Sequence, residues 1–171
     1  MIVGRAHCYG NNIDTGAIMP GKFMISTRIE DMAPYAMEGI DPDFTKKVRP
    51  GDVIVAGRNF GCGSSRETAP AVLRACGVQA LFAESFARIF FRNAINLGLM
   101  VVECPGISAG VSSGDQVRYN PATGEVENLT KAWRGQGTIL PDFLMRILEH
   151  GGASEAYRAG QLRGATTGTL E

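Results

Sequence analysis

The residue types best suited to chemistry are gathered in one glycine-rich segment, Gly57-Arg58-Asn59-Phe60-Gly61-Cys62-Gly63-Ser64-Ser65-Arg66-Glu67. Gly61 and Gly63 allow positive φ and let the backbone come close to a ligand. Arg66 can grip a carboxylate through two parallel N–H bonds, and Ser64 can exchange a proton if its surroundings lower its pKa. Unpaired N–H groups at a following helix start would favour a carboxylate or phosphate. The segment is not a phosphate-binding P-loop, because Ser64-Ser65-Arg66 has no lysine. Nor is it a Gly-x-Ser-x-Gly elbow, and no distant His–Asp pair is evident. Glycine-rich strand–helix turns are common, and a Ser-Ser pair often does no more than cap a helix. The residues alone therefore leave an anion site and a simple cap both open.

Metal chemistry by this chain alone finds little support. Cys8, Cys62, Cys76 and Cys104 form no CxxC pair and match no zinc or iron–sulfur spacing. His7 and His150 lie at opposite ends of the sequence, with no second ligand nearby. Cys76 and Cys104 read as buried apolar residues, the usual state of a free cysteine.

Elements that would position the loop follow from the apolar pattern. Val53–Ala56 is a short apolar run after the turn Pro50-Gly51-Asp52, which predicts a buried strand. Ser64 or Ser65 would cap a helix running to Cys76 and ended by Gly77, with Pro70 tolerated early. Val78–Ala83 predicts a second strand, Ser85 the cap of a second helix through Asn96, and Leu99–Glu103 a third strand after Gly98. Strand–helix–strand–helix–strand in about fifty residues argues for a parallel sheet with right-handed crossovers. Asp115–Tyr119 and Glu125–Leu129 predict an antiparallel hairpin around Asn120–Gly124. Thr138–Leu140 would add an edge strand and Pro141–His150 a last amphipathic helix. Residues 1–30 read as loop-rich, 31–48 as a connection with helical fragments, and 151–171 as a partly mobile tail following a single domain over 1–150.

The 171 residues suit one domain, with 44% apolar and 20% charged residues. Lys+Arg and Asp+Glu both number 17, so nothing advertises nucleic-acid binding. No run approaches the roughly 20 apolar residues of a membrane span, and the N-terminus has no signal-peptide pattern. A cytoplasmic protein with small-molecule or protein partners is the expectation, and disulfides are not expected there.

Several ordered segments carry a family resemblance. Asn59–Glu67 resembles the Gly-x-Gly-Ser-Ser-Arg-Glu signature of the aconitase superfamily's swivelling domain. Asn12-Ile13-Asp14-Thr15 resembles its Asn-Ile-Asp/Asn-Thr segment, Ser85–Phe90 its Ser-Phe-Ala-x-Ile-Phe helix, and Asn96–Leu99 its Asn/Lys-x-Gly-Leu stop. Together they span about residues 8–105, in family order. The length and short N-terminus are similar to free-standing small subunits of the isopropylmalate isomerase group.

The resemblance implies an α/β fold: a three-layer β/β/α swivelling domain with a parallel central sheet and an additional antiparallel β layer. It implies a large-subunit partner whose three cysteines hold a [4Fe-4S] cluster, with no cofactor bound by this chain alone. By position Ser64 maps to the catalytic base and Arg66 to the clamp on a substrate carboxylate. Ser65 and Gly63 would help hold the same anion, while Asp14, Thr15, Asn59 and Glu67 support the site. The chain departs from the pattern at Thr68, where the family usually has His, and at Gly16, where it has a second Asp. These bear on the subfamily more than on the fold.

The family loop reading approximately Arg-Tyr-Leu-x-Thr corresponds to Lys22-Phe23-Met24-Ile25-Ser26, placing Ile25 at the position that tunes substrate. An apolar residue there implies an alkyl-substituted malate, most simply isopropylmalate in leucine synthesis. Dimethylmalate, methylcitrate and homocitrate are related hydroxy di- or tricarboxylate alternatives. A non-catalytic anion-binding module is the alternative from a different class.

Overall fold

Strands apolar on both faces have to be covered on both, and this chain has several. The computed structural model describes residues 1–162. In it, β1 (Ile2–Cys8), β2 (Val53–Ala56), β3 (Ala80–Ala83) and β4 (Met100–Glu103) run parallel, with every residue of β2 and β3 buried. On the other side of β1 lies an antiparallel half made of β5 (Gln116–Tyr119), β6 (Glu125–Asn128) and β7 (Trp133–Gln136). The whole is a seven-stranded mixed sheet in the order β4-β3-β2-β1-β5-β6-β7.

The sheet curls until its ends approach. Thr138 N–H donates to Glu103 O at 2.9 Å, beside the end of β4. The Tyr119 hydroxyl donates to Thr138 O at 2.7 Å, and its ring stands edge-on to Phe82 with centroids 5.7 Å apart. The antiparallel half thus forms a second β layer over the parallel half.

Short helices α1 (Thr15–Ile18), α2 (Ile29–Met32) and α3 (Phe44–Lys47) lie in the connection between β1 and β2. The crossovers are α4 (Thr68–Ala75) and α5 (Arg88–Asn96), followed by α6 (Ile107–Gly110), α7 (Asp142–Glu149) and α8 (Ala153–Arg158). The buried faces of α4 and α5, including Val72, Leu73, Phe90 and Ala94, join the core and make the third layer. Gly77 and Gly98 close these two helices with φ of +87° and +78°. No helix of the described residues is long and apolar enough to cross a membrane.

Four sequence expectations change. Residues 2–8, expected to be loop-rich, form the central strand of the sheet. Polar residues interrupt its apolar pattern because they are paired: the Asp52 carboxylate accepts from His7 Nε2 at 2.8 Å, Arg5 Nη2 at 2.8 Å and Arg49 N–H at 2.9 Å. Burial pushes the Asp52 pKa upward, but these donors outweigh it and hold the carboxyl below its ordinary range. The last strand is Trp133–Gln136 rather than Thr138–Leu140, with the indole lodged against Gly110 and Gly135 where no larger residue fits. Neither Ser64 nor Ser65 caps α4, which begins at Thr68 behind an N-cap Glu67 with no side-chain cap bond. Ser85 does not cap α5 either; its hydroxyl is used by the loop described below.

The expected tail begins with α8, whose Ala156 is fully buried. Residues 163–171, the rest of that tail, lie outside the described residues.

Candidate active site

Leaving β2, the chain enters a loop stitched to the segment that follows β1. Arg58 N–H donates to Asn11 Oδ1 at 2.7 Å, Asn12 N–H to Arg58 O at 2.8 Å and Asn59 Nδ2 to Asn12 Oδ1 at 3.1 Å. Asn12 and Asn59 adopt left-handed φ of 55° and 60°, a conformation asparagine tolerates better than most residues. Farther on, Gly61 N–H donates to Ile13 O at 2.7 Å and Thr15 N–H to Cys62 O at 2.9 Å. On the opposite side, Phe60 N–H donates to Ser85 O at 3.1 Å, Ala87 N–H to Phe60 O at 2.9 Å, and Asn59 N–H to Ser85 Oγ at 2.9 Å. The loop is therefore the middle rung between two other segments.

Phe60 wedges this assembly onto the core. It is 1% exposed and meets Phe86 and Phe90 edge-on at 6.0 and 5.3 Å. Gly61, at φ +80°, is needed twice over, since a Cβ there would overlap the Phe90 side chain.

At the apex the expected residues converge. Gly63 (φ +91°) lies against Asp14 and Thr15; a Cβ there would meet Asp14 Cβ at 3.5 Å and Thr15 Oγ1 at 3.7 Å. The Thr15 and Ser64 hydroxyl oxygens are 3.1 Å apart, and Thr15 Oγ1 is also 3.1 Å from Ser64 O. Thr15 is buried, whereas Ser64 and Ser65 face solvent. Asp14 caps α1 by accepting from Ala17 N–H at 2.7 Å, which fixes the start of that helix beside the serine.

Arg66 is half-buried and oriented by the protein: its Nη1 donates to Met19 O at 3.2 Å, and Gly21 lies beside the guanidinium. It forms no salt bridge with a carboxylate among the described residues, so the rest of its donor fork remains for a ligand.

Asn59 is behind the apex, as a loop anchor. Glu67 is exposed at the N-cap of α4, without a side-chain cap bond. Ile25 is 65% exposed in the stretch beyond Met19, a stretch held by the stacking of Phe23 on Tyr35 at 4.3 Å. No hydrogen bond among the described residues joins Ile25 to Ser64. Lys22, with its ammonium 4.8 Å from the Phe23 ring centre, lines a 440 Å³ cavity shared with Asp14, Gly16, Ala17, Pro20, Glu38 and Gly39. At the Thr68 departure, Oγ1 is buried with no hydrogen-bond partner among the described residues.

The sequence assigns no site role to Asn11, Phe90 or the Met19 carbonyl, and it reads Ser85 as a helix cap rather than a loop anchor. The Asn11-Asn12 pair is a local signal that reads equally as a turn. Among the described residues no three His, Cys, Asp or Glu side chains stand together in a way that could hold a metal. Cys76 is half-buried and Cys104 buried, and burial pushes both thiols up to about 11.

The aconitase C-terminal domain family matches residues 11–106. The isopropylmalate/citramalate isomerase small subunit of Methanocaldococcus jannaschii is 54% identical over 89% of this chain and 90% of its own length. The 3-isopropylmalate dehydratase small subunit 1 of Methanopyrus kandleri is 51% identical over 92% of this chain and 93% of its own length. A crystal structure of 3-isopropylmalate dehydratase (leuD) from Methanocaldococcus jannaschii superposes with a TM-score of 0.88 at 41% identity, covering 94% of this chain and 95% of that one. With its serine–arginine apex carried on the same fold, the chain belongs to the 3-isopropylmalate dehydratase small-subunit family, built on the aconitase C-terminal domain.

Proposed function

We propose that this chain is the small subunit of a cytoplasmic hydro-lyase that isomerises 3-isopropylmalate in leucine biosynthesis by dehydration and rehydration. Its partner would be a large subunit holding a [4Fe-4S] cluster. The observation that carries this reading is the exposed Ser64 hydroxyl, backed by Thr15 and followed by a guanidinium already aimed by Met19 O. This chain's dispersed cysteines do not fit such a cluster, which in the large subunit would supply Lewis-acid chemistry.

The work left to this chain is proton transfer and anion binding. Ser64 Oγ takes the proton from the carbon beside a substrate carboxylate. The C–H electron pair becomes the carbon–carbon double bond as the hydroxyl leaves the neighbouring carbon as water, with a proton from an acid that the large subunit would supply. Water returning with the opposite orientation completes the isomerisation, and Ser64 gives the proton back. Arg66 grips the carboxylate with its free donors, while Ser65 and the Gly63 backbone hold the same anion. A serine is a poor base in water, so its charged form needs donors close by.

Purified alone, the chain is expected to contain no cluster and to show no hydratase activity. Anaerobic reconstitution with the large subunit should yield turnover of 3-isopropylmalate. Stoichiometric iron and sulfide in the single chain, or an inert complex, would overturn the reading. Citramalate is a second substrate to assay, because the 54% identical relative carries both names.

Ile25 supports the alkyl preference. An apolar side chain gains about 0.8 kcal/mol for each CH₂ covered by a substrate alkyl group, whereas a carboxylate placed there unpaired loses several kcal/mol. Ile25→Arg is expected to shift the ratio of kcat/KM values from isopropylmalate and dimethylmalate towards citrate and homocitrate. A ratio that stays put removes Ile25 from the pocket, and substitutions at Met24 and Ser26 would then locate the position that lines it.

A further inference from the structure

We infer that Thr15 is the positioning residue that makes Ser64 a competent base: it holds the serine oxygen in place and turns its O–H to donate a hydrogen bond to that oxygen once Ser64 is deprotonated. The inference rests on the reading of Ser64 as the base.

The geometry is specific. Thr15 is 2% exposed, and its N–H bond to Cys62 O at 2.9 Å ties its backbone to the loop. Its Oγ1 lies 3.1 Å from Ser64 Oγ and 3.1 Å from Ser64 O, yet a hydroxyl has only one proton to give. While Ser64 is neutral, both bonds are made: Ser64 O–H donates to Thr15 Oγ1, and Thr15 O–H donates to Ser64 O. When Ser64 loses its proton to solvent, the first bond loses its donor. A turn of the Thr15 hydroxyl then points its O–H at the Ser64 oxygen as a hydrogen-bond donor, with no proton transferred and no heavy atom moving.

The backbone does not suffer from that switch. Ser64 O also accepts from Arg66 N–H at 2.9 Å, so it stays paired when Thr15 turns away. The new bond runs from a neutral hydroxyl to a charged oxygen, and such bonds are roughly twice as strong as neutral ones. Because this stronger bond exists only in the deprotonated state, it lowers the proton affinity of Ser64. The same hydroxyl is ready to receive a hydrogen bond again when Ser64 takes the substrate proton. The other charged or titratable groups around the pair are Asp14 on the α1 cap, Cys62, Arg66 and Glu67 on the loop, and Lys22 and Glu38, which line the cavity beside Asp14. Among the described residues none of these hydrogen-bonds to Ser64 Oγ.

The test uses the reconstituted two-subunit enzyme with Thr15→Val, Thr15→Ser, Ser64→Ala and the Thr15→Val/Ser64→Ala pair. Thr15→Val is expected to lower kcat by about 10²- to 10³-fold with KM little changed, the size of loss seen on removing one donor from a developing anion. It should also move the rising limb of the pH profile of kcat/KM to higher pH. Thr15→Ser should restore both, and adding Thr15→Val to Ser64→Ala should cost nothing further. An unchanged kcat and pH limb in Thr15→Val, absence of rescue by serine, or additive losses in the double variant would each overturn the inference. If Ser64→Ala itself keeps full turnover, it is the assignment of the base that falls.

Discussion

Ser64→Ala is expected to cut turnover of the reconstituted complex by about 10²- to 10⁴-fold, the usual contribution of a general base. Ser64 stands at the solvent-facing apex of a loop held by backbone bonds to Ile13, Thr15 and Ser85, none of which involves its hydroxyl. Removing the hydroxyl leaves that stitching intact, and the loss of one bond to Thr15 costs about 1 kcal/mol of stability. The check is to measure kcat and thermal unfolding together. Near wild-type turnover would make Ser64 a bystander and place the base elsewhere, whereas a collapse of the unfolding temperature would show that the hydroxyl holds the loop.

Arg66→Lys should be far more damaging than the conserved charge suggests. The guanidinium already uses Nη1 on Met19 O, and its planar fork has further donors that remain coplanar for a carboxylate. An ammonium on a flexible stem cannot meet the Met19 carbonyl and also present two parallel donors. The expected loss is about 2–4 kcal/mol of transition-state stabilisation, read as kcat/KM of the complex. An unchanged kcat/KM would show that Arg66 does not touch substrate.

Much of this architecture was legible in the sequence. The apolar runs at Val53–Ala56, Val78–Ala83 and Leu99–Glu103 announced the parallel strands β2, β3 and β4, and Gly77 and Gly98 marked the helix ends. The hairpin around Asn120–Gly124 appeared where its turn residues placed it. At the site, Gly63, Ser64, Asp14 and Thr15 do meet, although nearly fifty residues separate the two segments. Partnership decided what could not be read. Serine suits a helix cap, but the Ser85 hydroxyl accepts from Asn59 N–H instead. The start of α4 three residues beyond Ser65 reflects a turn closed by Arg66 N–H on Ser64 O, a contact local in sequence but invisible in composition. The indole of Trp133 chose its strand through Gly110, more than twenty residues away.

The placement of β1 has a consequence for how the chain comes together during synthesis. This strand precedes the other described strands along the chain, yet one neighbour, β2, begins at Val53 and the other, β5, only at Gln116. Pairings so distant in sequence form slowly, and an emerging β1 must wait beside a finished β2 with its second edge unpaired. A waiting edge invites pairing with another chain, and charge is the common protection against it. Arg5 and His7 are the residues that disguised β1 as a loop in the apolar pattern. They also give the nascent strand polar groups until Asp52 arrives with β2 to pair them, so the interruption that hides the strand on paper shields it in the first stage of assembly.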